Sequence, residues 1–157
     1  MRQKLVLCVI AVLITLFTTV SALDQTDRFG ERPFIDIYEV PDEAIEQGLI
    51  RIKFNPEFTG HLDTHLIGRD EDGTVHFGVP VIDELNRTYE VYKTVKLFDS
   101  PALKKEYEWQ HRQWGFHLWY ELHFDSKENI RDIVLAYREM KGIIDWAEPE
   151  YIKALTS

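Results

Sequence analysis

The sequence predicts an α+β domain: four antiparallel strands carrying two helices on one face, with a further helix between the second and third strands. Three observations lead there. Residues 116–124, FHLWYELHF, alternate apolar and polar side chains, the pattern of a half-buried strand. Ile130, Ile133, Val134, Tyr137 and Met140 recur at helical spacing and define an amphipathic helix. Segments of these two kinds also alternate in the order strand, helix, strand, helix, strand, helix, strand.

The first 22 residues stand apart. Arg2 and Lys4 precede an unbroken run of apolar residues and Thr over residues 5–20, and Val20-Ser21-Ala22 supplies small residues where a signal peptidase cuts. This reads as a secretory signal cleaved after Ala22, which sends the protein to the periplasm or outside the cell. A bilayer-spanning helix needs about twenty apolar residues, so the run is short for an uncleaved anchor. Cys8, the one cysteine, lies inside this segment and away from the cut. Neither a lipid anchor nor a disulfide is therefore expected, although the compartment would permit the latter.

The remaining chain is long enough for one domain with a sizeable core. Twenty-seven acidic residues against 18 basic ones give a net charge of −9, and the signal removes two of the basic residues. The acids are dispersed and no Lys/Arg cluster stands out, so nucleic acid and anionic lipid are poor partners.

Residues 23–40 have few periodic apolar positions and read as a loose leader to a domain over residues 41–157. Residues 41–47 fit a short helical turn that Gly48 ends. In residues 49–54, Ile50, Ile52 and Phe54 share one face of a strand. Residues 55–74 are polar and turn-rich, a loop. Pro80 suits a first helical turn, and Ile82, Leu85 and Tyr89 share a helix face. Residues 90–98 give a second strand, with Val91, Val95 and Leu97 on one side and Lys93 as an exception. Ser100 and Pro101 open the extra helix, which runs to Trp114 with Leu103, Tyr107 and Trp114 as its stripe, and Gly115 ends it. The strand at 116–124 would place His117, Trp119, Glu121 and His123 on its polar side. Asp125 and Glu128 have the spacing of a capping box ahead of a helix to Lys141. Gly142 closes that helix, and residues 143–148 form a last strand before Pro149. Without the inserted helix, this is the split βαβ-βαβ order of ferredoxin-like domains, with one sheet face left open as a docking surface.

No constellation in the chain carries catalysis. His61, Asp63 and His65 lie close together, and on a helix the two histidines would have metal-ligand spacing. The segment reads as a loop, however, without an evident further ligand, so no metal and no cofactor is expected. Beyond the signal the serines are Ser100, Ser126 and Ser157: two read as helix caps, and none sits in a nucleophile turn. Asp70, Glu71 and Asp72 are solvated turn residues beside Gly73. Asn86-Arg87-Thr88 forms a glycosylation sequon, treated as chance because it falls in a helix.

The ordered segments VPDEAIEQGLIRIKF, VPVIDELNRTYEV, KLFDSPALKKEYEWQHRQWGFHLWYELHFD and DWAEPEY resemble the N-terminal propeptides of secreted bacterial subtilisin-like serine peptidases. The similarity spans roughly residues 38–155 and rests on the ordered set of segments, together with Gly115, Trp119, Tyr120, Glu121 and Phe124, rather than on any single motif. It implies a domain that packs its open sheet face, here His117, Trp119, Glu121 and His123, on the protease. The tail, Tyr151, Ile152, Lys153, Ala154 and Leu155, would lie along the active-site cleft, pairing backbone to backbone. Such propeptides assist folding of the catalytic domain and inhibit it until they are cut away. The implied partner is a subtilisin-like catalytic domain, in cis or in trans, and the free domain would be a monomer.

Two departures accompany the resemblance. Gly142 stands one place early before Ile143-Ile144, and the Asp, His and Ser motifs of subtilisins have no counterpart here. The chain then reads as a non-enzymatic, stand-alone inhibitor or as the N-terminal part of a longer protease precursor. A secreted ferredoxin-like module for an unrelated ligand is the alternative, followed by a small enzyme built on residues 61–65.

Overall fold

In the computed structural model, residues 36–99, 105–125 and 127–152 are described. The signal segment, residues 23–35 of the leader, Ser100, Pro101, Leu103, Ser126, Ser157 and the tail residues Lys153, Ala154 and Leu155 lie outside the described residues. Strand β1 (Ile45–Phe54) is followed by α1 (Thr59–Thr64) and a two-stranded hairpin of β2 (Gly68–Arg69) and β3 (Val75–His76). Next come α2 (Pro80–Thr88), β4 (Val91–Lys96), α3 (Glu108–Gln113), β5 (Trp119–Phe124), α4 (Ile130–Arg138) and β6 (Ile144–Tyr151). The main sheet has the order β4-β5-β1-β6 with every neighbouring pair antiparallel. The α+β class and the four-stranded antiparallel sheet are as the sequence predicts.

Strand alternation makes the sheet two-sided. Ile50, Ile52 and Phe54 of β1 meet Tyr120, Leu122 and Phe124 of β5, with Ile144 and Ala147 of β6, in one buried cluster. Ile82 of α2 and Ile130, Ile133, Val134 and Tyr137 of α4 join it, so both helices cover this face. Each Ile, Val, Leu or Phe among them contributes about 1.5–3 kcal/mol on removal from water, before entropy is counted.

Several boundaries differ from the sequence reading, each for a local reason. The turn at 41–47 shrinks to a 3-10 turn at Asp42–Ala44, and β1 begins at Ile45. Gly48 does not end a helix. It adopts φ +75° at a register shift in β1, where a Cβ would come within 3.0 Å of the Phe124 carbonyl. The expected loop at 55–74 contains a 3-10 turn (Pro56–Phe58) and α1, started by Asn55, whose side chain accepts the Glu57 N–H at 3.0 Å. A second irregularity between Val91 and Lys93 explains the misfit of Lys93: Val91 faces the core, while Lys93 and Val95 turn to the other side.

The inserted helix is expected over residues 101–114, of which 105–114 are described. Among the described residues it is a 3-10 turn (Lys105–Tyr107) leading into α3, and Tyr107 and Trp114 are half-exposed rather than a core stripe. The cap of α4 is Asn129, whose side chain accepts the Arg131 N–H, and not Asp125. Strand β6 runs on through Pro149, which an edge strand tolerates.

The leader is not loose throughout. Ile37 is in the core. Arg131, itself buried, donates to the carbonyls of Ile37 (2.9 Å) and Val40 and pairs with Asp42. No helix among the described residues is long and apolar enough to cross a membrane.

Candidate functional site

The sheet face opposite the helices is built in rows by the antiparallel register. Lys53 of β1 lies between Trp119 of β5 and Trp146 of β6; Arg51 lies between Glu121 and Glu148; Leu49 lies beside His123, which faces Lys93 of β4. Arg51 is the hub. Its Nη2 contacts Glu150 Oε2 at 2.6 Å and Glu121 Oε1 at 3.4 Å. Lys53 Nζ pairs with Asp145 at 2.5 Å, and Trp146 Nε1 donates to Glu148 at 2.8 Å. The carboxylates of Glu121, Asp145, Glu148 and Glu150 outnumber the cations of Arg51, Lys53 and Lys93. Arg51, Lys53, Glu121 and Glu150 are each about three-quarters or more covered, while Asp145 and Lys93 are exposed, so the centre of the face is an ordered polar lattice rather than an apolar patch.

Of the four residues expected on this face, Glu121 and His123 are there in the interior of β5. His123 Nε2 lies 3.8 Å from Glu121 Oε2, and burial, followed by the nearby Lys93 charge, lowers its pKa despite that carboxylate. Trp119 is in the right row but only 6% exposed, with Phe98 edge-on against it at 6.2 Å. It is a packed corner of the face, not a free anchor.

His117 is not on this face. Gly115 takes φ +71° and leads into a 3-10 turn at Phe116–Leu118, so the strand starts only at Trp119 and the alternation does not extend back to His117. His117 Nε2 instead meets Thr59 Oγ1 of α1 at 3.2 Å, on the helix-bearing side.

The tail begins later than expected. Tyr151 still pairs with Ile45 in the ladder and packs on the core, and the Ile152 N–H donates to the Ala44 carbonyl at 2.9 Å. Burial raises the Tyr151 phenol pKa. Only beyond Ile152 can a segment leave the sheet.

His61, Asp63 and His65 lie on and just after α1, not in a loop, and the two imidazoles come together while the carboxylate does not join them. His61 Nε2 is 2.8 Å from the Phe77 carbonyl oxygen, and its ring stacks on His65 with centroids 5.1 Å apart. Asp63 points away to Arg112 in a bidentate pair, which holds its carboxyl below the usual range. Among the described residues no three His, Cys, Asp or Glu side chains converge as a metal site.

Sequence reasoning passed over Arg51, Lys53, Glu148 and Glu150. The signal was present: if Ile50, Ile52 and Phe54 face inward, Arg51 and Lys53 must face outward. Glu150 lies beyond the expected strand at 143–148, which stops before Pro149. No family model matches the sequence, and no curated protein or solved structure matches it significantly.

Proposed function

We propose that this chain is a propeptide-type domain that inhibits a secreted subtilisin-like serine protease and assists its folding, acting in cis or in trans. The observation that carries the proposal is the helix-free face of the sheet, bordered by the strand whose end leads into the tail. The strand order supports a ferredoxin-like arrangement: the last strand lies beside the first, and the third lies between the first and second of that set. A protease surface rich in N–H donors would meet Glu121, Glu148 and Glu150, already oriented by Arg51 and Trp146. Residues after Ile152 would continue from the sheet edge into the substrate cleft as an added strand. A domain that binds only the folded protease stabilises it by mass action, and proteolytic removal ends the inhibition.

The test is steady-state inhibition of a bacterial subtilase, and of a chymotrypsin-type protease as control, by the full chain. Selective inhibition of the subtilase is expected. Trp146→Ala, at the rim of the open face, should weaken it by about 2 kcal/mol while the melting curve stays in place. No inhibition of any subtilase, or inhibition indifferent to Trp146, would sink the proposal.

A further inference from the structure

A cleft of about 250 Å3 lies between α3 and the end of β4, on the side of the molecule where His117 meets α1. Lys96, Lys105, His111, Arg112 and His117 bring five nitrogen-bearing side chains to its walls, and Phe116 lines it as well. These come from a strand end, a helix and its preceding turn, and the 3-10 turn before β5. Lys96, Lys105 and Arg112 are formal cations, whereas the two imidazoles carry charge only when protonated.

The internal partners are too few at the His117 end. The charges acting most strongly on His117 are Arg112, Asp63, His111 and Lys96, and Asp63 alone among them is acidic. That carboxylate is already consumed by its bidentate pair with Arg112. Asp99 and Glu108 also line the cleft, but neither forms an ion pair with Lys96 or Lys105 among the described residues. The ammonium of Lys96 offers charge-assisted donors, and Arg112 keeps N–H groups beyond those given to Asp63. His111 Nε2 lies 3.0 Å from the Phe98 carbonyl oxygen and His117 Nε2 3.2 Å from Thr59 Oγ1, so each imidazole has Nδ1 left to donate when protonated.

We infer that this cleft binds a small oxyanion, a phosphoryl or carboxylate group, held by Lys96, Arg112, His111 and His117. The site is separate from the open sheet face and does not depend on protease binding. Burial and the neighbouring cations keep the His117 imidazole below its ordinary pKa in the empty cleft. A bound anion reverses the sign of the local field and raises it. Anion binding and protonation of the imidazoles therefore favour each other, and affinity strengthens as the solution becomes mildly acidic.

The experiment follows the histidine side-chain resonances of the full chain by NMR across pH. Inorganic phosphate or acetate is titrated in while sodium chloride holds the ionic strength constant. Phosphate should raise the titration midpoint of His117 in a saturable way, and acetate doing the same extends the site to carboxylates. Lys96→Gln, at an exposed position, should weaken the phosphate effect about tenfold, the consequence of losing one charged partner. If neither anion moves the His117 midpoint through the millimolar range, or if Lys96→Gln responds like the wild type, the site does not exist.

Discussion

Tyr137 donates its hydroxyl to Asn86 Oδ1 at 2.7 Å, and Asn86 Nδ2 donates to the Val75 carbonyl at 2.8 Å, with Asn86 fully buried. One amide thus joins α4, α2 and the β2–β3 hairpin. Burial raises the Tyr137 phenol far above its ordinary pKa, so it acts only as a neutral donor. Asn86→Ala strands both the hydroxyl and the carbonyl, and each unpaired buried group costs about 1–3 kcal/mol. Chemical denaturation should show a loss of about 2–4 kcal/mol for Asn86→Ala, and less than the sum of the singles for Asn86→Ala with Tyr137→Phe. Additive losses would show that the two side chains are not coupled. The helical setting of Asn86 was legible, and so was the weakness of its sequon. Its structural role was not, because its partners lie 11 and 51 positions away and no local pattern marks them.

At the scale of the element, β6 sets where the folded domain stops. Tyr151 is partly buried against the core, and the Ile152 N–H makes a backbone bond to Ala44. A chain ending at Ile152 should melt with the full chain, whereas one ending at Glu150 should lose about 1–2 kcal/mol from the backbone bond and the apolar area of Tyr151. Melting curves of the two truncations decide this, and equal curves would return Tyr151 to the detached tail. Unbroken periodicity made α4 and the centre of β5 legible. The misread boundaries fall where one residue breaks the period: Gly48, the bulge after Val91, and the 3-10 turn that removes His117 from its strand. Such breaks are set by cross-strand partners, which the order of residues along one strand does not encode.

For the whole molecule, the two sides of the sheet respond to acid in the same direction. His123 on the open face and His117 on the helix-bearing side both have pKa values below their ordinary 6.5, each chiefly through burial. Lys93 adds to the effect at His123, while Glu121 opposes it. Arg112, His111 and Lys96 add to it at His117, while Asp63 opposes it. The unfolded chain therefore takes up protons at these sites before the folded one does, and their contribution to stability falls as pH drops through 6.5. Asp63, held low by Arg112, behaves as a separate step: its contribution persists until pH falls below the ordinary 3.8 and through its own lowered value. Thermal melts should accordingly show the melting temperature declining from about pH 7.5 to about pH 5.5, with a second decline only in strong acid. Replacing both histidines, His117→Gln with His123→Gln, should flatten the first decline and leave the second in place. A melting temperature that is constant between neutral and mildly acidic pH, or a decline that survives the double replacement, would show that neither imidazole is held neutral by the fold.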